Sequence, residues 1–68
     1  MTTFDREIGP RKVGGRYHSG YWGEDYTVLD IETDRPQWPP WQITIRWDDG
    51  RKGSHCTAWD PKRDRLLS

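Results

Sequence analysis

The stretch Trp41-Gln42-Ile43-Thr44-Ile45-Arg46-Trp47 alternates apolar and polar residues at every step and runs directly into Asp48-Asp49-Gly50. Side chains on a strand point alternately to its two faces. Trp41, Ile43, Ile45 and Trp47 therefore share one face, and Gln42, Thr44 and Arg46 share the other, as in a half-buried antiparallel strand. Gly50 supplies the positive φ that either a two-residue type I′ turn or a three-residue bulged hairpin demands. The chain must therefore turn back on itself at this point, which predicts an antiparallel all-β arrangement.

Tyr26-Thr27-Val28-Leu29-Asp30-Ile31-Glu32 is the second strand signal, rich in β-branched and aromatic residues. Its expected inward residues are Leu29 and Ile31, opposite members of the Ile43, Ile45 and Trp47 set, because a one-residue slip would expose the apolar face. A weaker first strand is expected over Lys12–Tyr17, where Gly14-Gly15 invites a bulge or bend. His18–Asp25 then reads as an aromatic, glycine-containing loop, and Thr33–Pro40 as a loop from which Arg35-Pro36 and Pro39-Pro40 exclude helix. The return arm Arg51–Trp59 is expected to be poor strand material, and its pattern leaves its buried face open. Asp60-Pro61 predicts an N-cap and a first-position proline for one helical turn through Asp64, followed by a short last strand at Arg65–Leu67. Residues 1–10, ending in Gly9-Pro10, are expected to form a flexible lead-in to a single domain over 11–68.

A chain of 68 residues hides only about 60% of the surface its unfolded form exposes, so the core must be thin. Only 31% of the residues are hydrophobic. Five tryptophans, three tyrosines and a phenylalanine offset that shortage, since each ring can bury about 150–250 Å². Eleven basic residues balance eleven acidic ones, which removes any net field that would steer the molecule toward polyanions. The lone Cys56 has no internal disulfide partner, no apolar run approaches the ~20 residues of a membrane span, and no signal peptide is recognisable. A cytoplasmic protein, monomeric or weakly dimeric, is expected. Eight arginines to three lysines suit a GC-rich genome.

Five short strands, a long first loop, a tight turn between the third and fourth, and a helical turn before the last are the order of an SH3-like barrel. The segment Pro39-Pro40-Trp41-Gln42-Ile43-Thr44-Ile45-Arg46-Trp47-Asp48-Asp49-Gly50 resembles Tudor-type barrels, in which an aromatic residue followed by acidic residues and glycine makes the same hairpin. More closely, it resembles a family of short actinobacterial SH3-like domains of unknown function that carry a Pro-Pro-aromatic lead and an Arg-Trp-Asp-Asp-Gly turn. The resemblance implies a small five-stranded SH3-like barrel and carries no activity with it.

Three constellations bear on function. Tyr17, Tyr21, Trp22, Glu24, Asp25 and Tyr26 form an aromatic and acidic segment placed where SH3-like barrels hold their peptide groove. Its rings and carboxylates suit an extended or cationic protein segment, although the same rings could simply lid a small barrel. Trp38 joins this partner-binding set as the exposed member of Trp38-Pro39-Pro40-Trp41, with Trp41 assigned to the core. The alternative partner is nucleic acid, held by Arg46, Arg51 and Lys52 with bases stacked on Trp47 or Trp59; the neighbouring aspartates favour an ordinary solvated surface there. His18, His55 and Cys56 are the only soft metal donors. Adjacent His55 and Cys56 side chains point to opposite faces of a strand, so no metal, cofactor or nucleophile–base pair is expected, and the chain reads as a binding module rather than an enzyme.

Overall fold

The computed structural model describes residues 4–67. Strand β3 (Gln42–Trp47) follows the alternation of its sequence, with Ile43 and Ile45 fully buried and Arg46 exposed. Trp41, just before it, is buried as expected. The strand pairs antiparallel with β2 (Glu24–Glu32) in a register that sets Tyr26 opposite Trp47, Val28 opposite Ile45 and Ile31 opposite Ile43. Between Val28 and Asp30 the register shifts, so Leu29 is an extra residue on β2, a β-bulge.

That bulge corrects the expected inward pair. Ile31 packs against the core as predicted, but Val28 and Tyr26, not Leu29, occupy the interior before it. The segment Tyr-Thr-Val-Leu-Asp-Ile holds two alternations half a period out of phase. One inserted residue lets both apolar sets face inward, where a regular strand would have wetted Tyr26 and Val28.

The turn after β3 is the expected hairpin in its three-residue form. Trp47 N–H donates to Arg51 O at 2.8 Å, Gly50 N–H donates to Trp47 O at 2.9 Å, and Gly50 has φ 95°. The return strand β4 spans only Lys52–His55, and its first three residues are exposed. The first strand, β1 (Arg16–Ser19), lies later in the chain than Lys12–Tyr17. It crosses part of the expected loop because Tyr17, His18 and Ser19 pair with Tyr26, Asp25 and Glu24 of β2. β5 (Arg65–Leu66) closes on β1, reached through a turn in which Asp60 O accepts from the Arg63 and Asp64 N–H groups. The result is one antiparallel five-stranded sheet in the order β4-β3-β2-β1-β5. Among the described residues no ladder joins β4 to β5, so the sheet is open. No helix there is long and apolar enough to cross a membrane.

The segment expected as a lead-in contributes a one-turn helix, α1 (Asp5–Ile8), whose Ile8 belongs to the core; residues 1–3 lie outside the described residues. Buried Arg11 ties α1 down. Its Nε donates to Ile8 O at 2.8 Å, and its Nη2 donates to Glu7 O at 2.7 Å and to Thr57 O at 3.0 Å. The guanidinium carbon also lies 5.8 and 5.7 Å from the ring centroids of Trp41 and Trp59. Beside it, Gly15 lets Tyr17 through: a Cβ there would stand 2.2 Å from the Tyr17 hydroxyl. The Thr33–Pro40 loop folds back on itself, with Arg35 N–H donating to Pro40 O at 2.9 Å.

If Val28 rather than Leu29 carries the interior, Val28→Ala should cost roughly 2 kcal/mol of unfolding free energy and Leu29→Ala less than about 1 kcal/mol. Urea unfolding of the two variants checks this ranking.

Candidate functional site

Tyr21 and Trp22 sit at the tip of the β1–β2 connection, in a turn closed by Gly23 N–H donating to Ser19 O and Trp22 N–H donating to Ser19 Oγ. Gly20 makes the placement possible. A Cβ there would meet Arg63 at 2.4 Å, and its N–H donates to Asp64 Oδ1 at 2.7 Å, which docks this turn against the turn before β5. From there Trp22 reaches across the sheet. Its ring meets Tyr21 at 4.9 Å, Trp47 at 5.3 Å and His55 at 4.8 Å, each edge to face. Trp22 remains 39% exposed and Tyr21 66% exposed.

Two clefts flank Trp22. One, of about 240 Å³, has Arg11, Ser19, Tyr26, His55 and Asp64 among its walls and lies between the ends of β4 and β5, where the sheet is open. The other, of about 270 Å³, runs over Ile45 between Trp22, Trp47, Arg51 and His55; Gly53, with open space where a Cβ would be, forms part of its wall. Trp22 and His55 line both, so the two clefts share a wall. A third, shallower hollow lies beside them, lined by His18, Glu24, Asp25, Asp48 and Asp49.

The carboxylates around this surface are paired. Arg51 Nη2 bonds Glu24 at 2.8 Å and Arg51 Nε bonds Asp49 at 2.6 Å, while Arg16 bonds Asp48 and His18 lies 2.7 Å from Asp25. The Arg51 main-chain N–H, followed by its guanidinium, holds the Asp49 carboxyl below its ordinary range. Burial pushes the Tyr26 phenol up. His55 accepts the Thr57 N–H at Nδ1, which leaves the proton of the neutral ring on Nε2; that atom is buried and has no hydrogen-bond partner among the described residues.

The expected partner-binding residues are thus divided. Tyr21, Trp22 and Glu24 line the clefts around Trp22, with Tyr26 in the floor, whereas Asp25 pairs with His18 on the opposite face of the sheet and lines only the third hollow. Tyr17 is wholly interior, its hydroxyl bonded to Lys12 N–H and Pro10 O. Trp38 is 83% exposed but stands elsewhere, its ring neighbour being Phe4 at 6.0 Å. The expected nucleic-acid set is scattered more widely. Arg46 and Lys52 pair across the outer face, Trp47 and Arg51 belong to the cleft, and Trp59 packs on Tyr17 at 5.8 Å. His55, Arg11 and Ile45 were not expected at a site. For His55 the only available signal was the undecided phase of its strand. Cys56 is exposed, and no group of three or more metal-binding side chains occurs among the described residues. Comparison with protein-family models, curated proteins and solved structures found no match.

Burial, reinforced by the charge on Arg11, lowers the His55 pKa from 6.5 to about 4. Between those values the unfolded chain takes up a proton that the folded chain refuses. The stability contribution is therefore complete above pH 6.5 and is lost as pH falls toward 4. The shift corresponds to about 3 kcal/mol, which partial exposure of the ring reduces to roughly 1–2 kcal/mol. His55→Asn keeps an acceptor for Thr57 N–H but does not titrate. Urea unfolding at pH 7, 5.5 and 4 should show the decline in the native chain and a correspondingly flatter profile in the variant.

Proposed function

We propose that this chain is a non-catalytic binding module of SH3-like or Tudor-like ancestry that recognises an extended, cationic protein segment along the double cleft around Trp22. The observation that carries the reading is the Tyr21–Trp22–Trp47 cluster, with Tyr21 and Trp22 exposed, set beside two clefts whose edge carries Glu24 and, through Arg51, Asp49. Ring faces attract cations, the carboxylates add charge complementarity, and two clefts on either side of one ring suit an extended backbone rather than a compact ligand. The position of β5 beside β1, after a single turn, supports the proposed ancestry. Binding rather than catalysis is supported by His55, whose Nδ1 is committed to Thr57 and whose Nε2 is buried.

Titration of the 15N-labelled chain with a blocked Ala-Arg-Ala-Arg-Ala peptide should shift the indole N–H signals of Trp22 and Trp47 and leave that of Trp59 in place. Trp22→Ala should weaken binding about fivefold or more, since a single lost cation–ring contact is worth about a kcal/mol or more in a cleft. Shifts confined to Arg46 and Lys52, obtained with oligonucleotides and collapsing with added salt, would instead favour the nucleic-acid alternative.

A further inference from the structure

The second cleft already contains a cation, and it belongs to the chain itself. The Arg51 guanidinium carbon lies 5.9 Å from the Trp47 ring centroid. The same group bonds Glu24 at 2.8 Å and Asp49 at 2.6 Å, so one ring and two carboxylates converge on it. It lines the cleft between Trp22 and Trp47.

We propose that Arg51 is an internal pseudo-ligand, which occupies the cation position of the cleft and must swing out when a guanidinium-bearing partner segment binds. This rests on the functional reading given above and narrows it to arginine, with an autoinhibitory contact built into the β3–β4 hairpin. The hairpin positions the residue independently of its side chain. Trp47 N–H to Arg51 O, Gly50 N–H to Trp47 O and Arg51 N–H to Asp49 Oδ1 are main-chain or turn bonds that do not involve the guanidinium. The side chain is therefore free to leave without unmaking the turn. It is also 60% exposed, as are its carboxylates in comparable measure, so its ion pairs hold it weakly against solvent and a competing cation.

The partner chemistry follows from the geometry that Arg51 displays. A planar guanidinium can lie over an indole and still direct separate N–H groups to two carboxylates, here one at the start of β2 and one in the β3–β4 turn, whereas a lysine ammonium offers a point charge without the fork. Once Arg51 leaves, Glu24 and Asp49 are unpaired beside the Trp47 ring, and an incoming arginine restores the same three contacts. Binding is then an exchange of one guanidinium for another, and the native affinity is lowered by the competition.

The test compares the native chain with Arg51→Ala, Arg51→Gln and Arg46→Ala, titrated with the blocked Ala-Arg-Ala-Arg-Ala peptide and its lysine counterpart. Removing Arg51 should raise affinity for the arginine peptide by about threefold to tenfold, the scale of surface ion pairs and exposed cation–ring contacts. Arg46→Ala removes the same charge from an exposed site on the opposite face of β3, and should change affinity by less than about twofold. The lysine peptide should bind more weakly throughout. Equal or weaker binding by both Arg51 variants, with the native chain binding, overturns the pseudo-ligand and leaves the functional reading standing. Equal gains in the Arg46 and Arg51 variants reduce the effect to net charge and also overturn it. If neither the native chain nor the Arg51 variants bind either peptide, the functional reading and the pseudo-ligand fail together.

Discussion

The placement of a single unpaired residue, Leu29, governs most of this structure. With so few aliphatic side chains, both the early apolar set of β2 and the late one must face inward, and an unbroken strand allows only one of them to do so. The bulge adds half a period and brings Tyr26, Val28 and Ile31 into line with Trp47, Ile45 and Ile43. The Tyr26–Trp47 pair that results, with rings 5.7 Å apart, is the platform on which Trp22 leans. The candidate site is thus a consequence of how the core was filled.

Aromatic rings take the place of a larger core elsewhere as well. Tyr17 packs between Tyr26 and Trp59, and the Arg11 guanidinium lies against Trp41 and Trp59 while bonding three main-chain oxygens. A buried guanidinium is tolerable there because its hydrogen bonds and the ring faces replace part of its lost hydration. It ties α1, the segment after β4 and the core together, and the same group forms one wall of the first cleft. Stability and site share residues because a 68-residue chain has too few side chains to separate the two roles.

Zero net charge conceals a local arrangement. The cation of the second cleft, Arg51, is already held by Glu24 and Asp49, whereas Arg16, paired with Asp48, lies in one cross-strand row with Arg46 and Lys52 on the other side of the sheet. Long-range attraction therefore contributes little to recognition on either face. What distinguishes the cleft is the contact of rings with paired charges at short range, where the exchange of one partner for another decides the outcome.

Strand β3, the turn at Asp48-Asp49-Gly50, the turn opened by Asp60-Pro61 and the all-β class were legible from residue order alone, because alternation, positive φ at glycine and proline's fixed geometry act over a few neighbouring residues. The exposure of Trp38 and the burial of Trp41 were legible for the same reason. The inward face of β2 was not, since Tyr26–Val28 and Leu29–Ile31 are equally good alternations and only the facing β3 residues choose where the extra residue falls. Likewise, no local pattern separates Tyr17, which is interior, from Tyr21, which is exposed, or brings Trp22, Trp47 and His55 together across three connections. Those contacts join residues 25 to 33 positions apart, and they exist only once the strands have paired and the Gly20 turn has docked on Arg63.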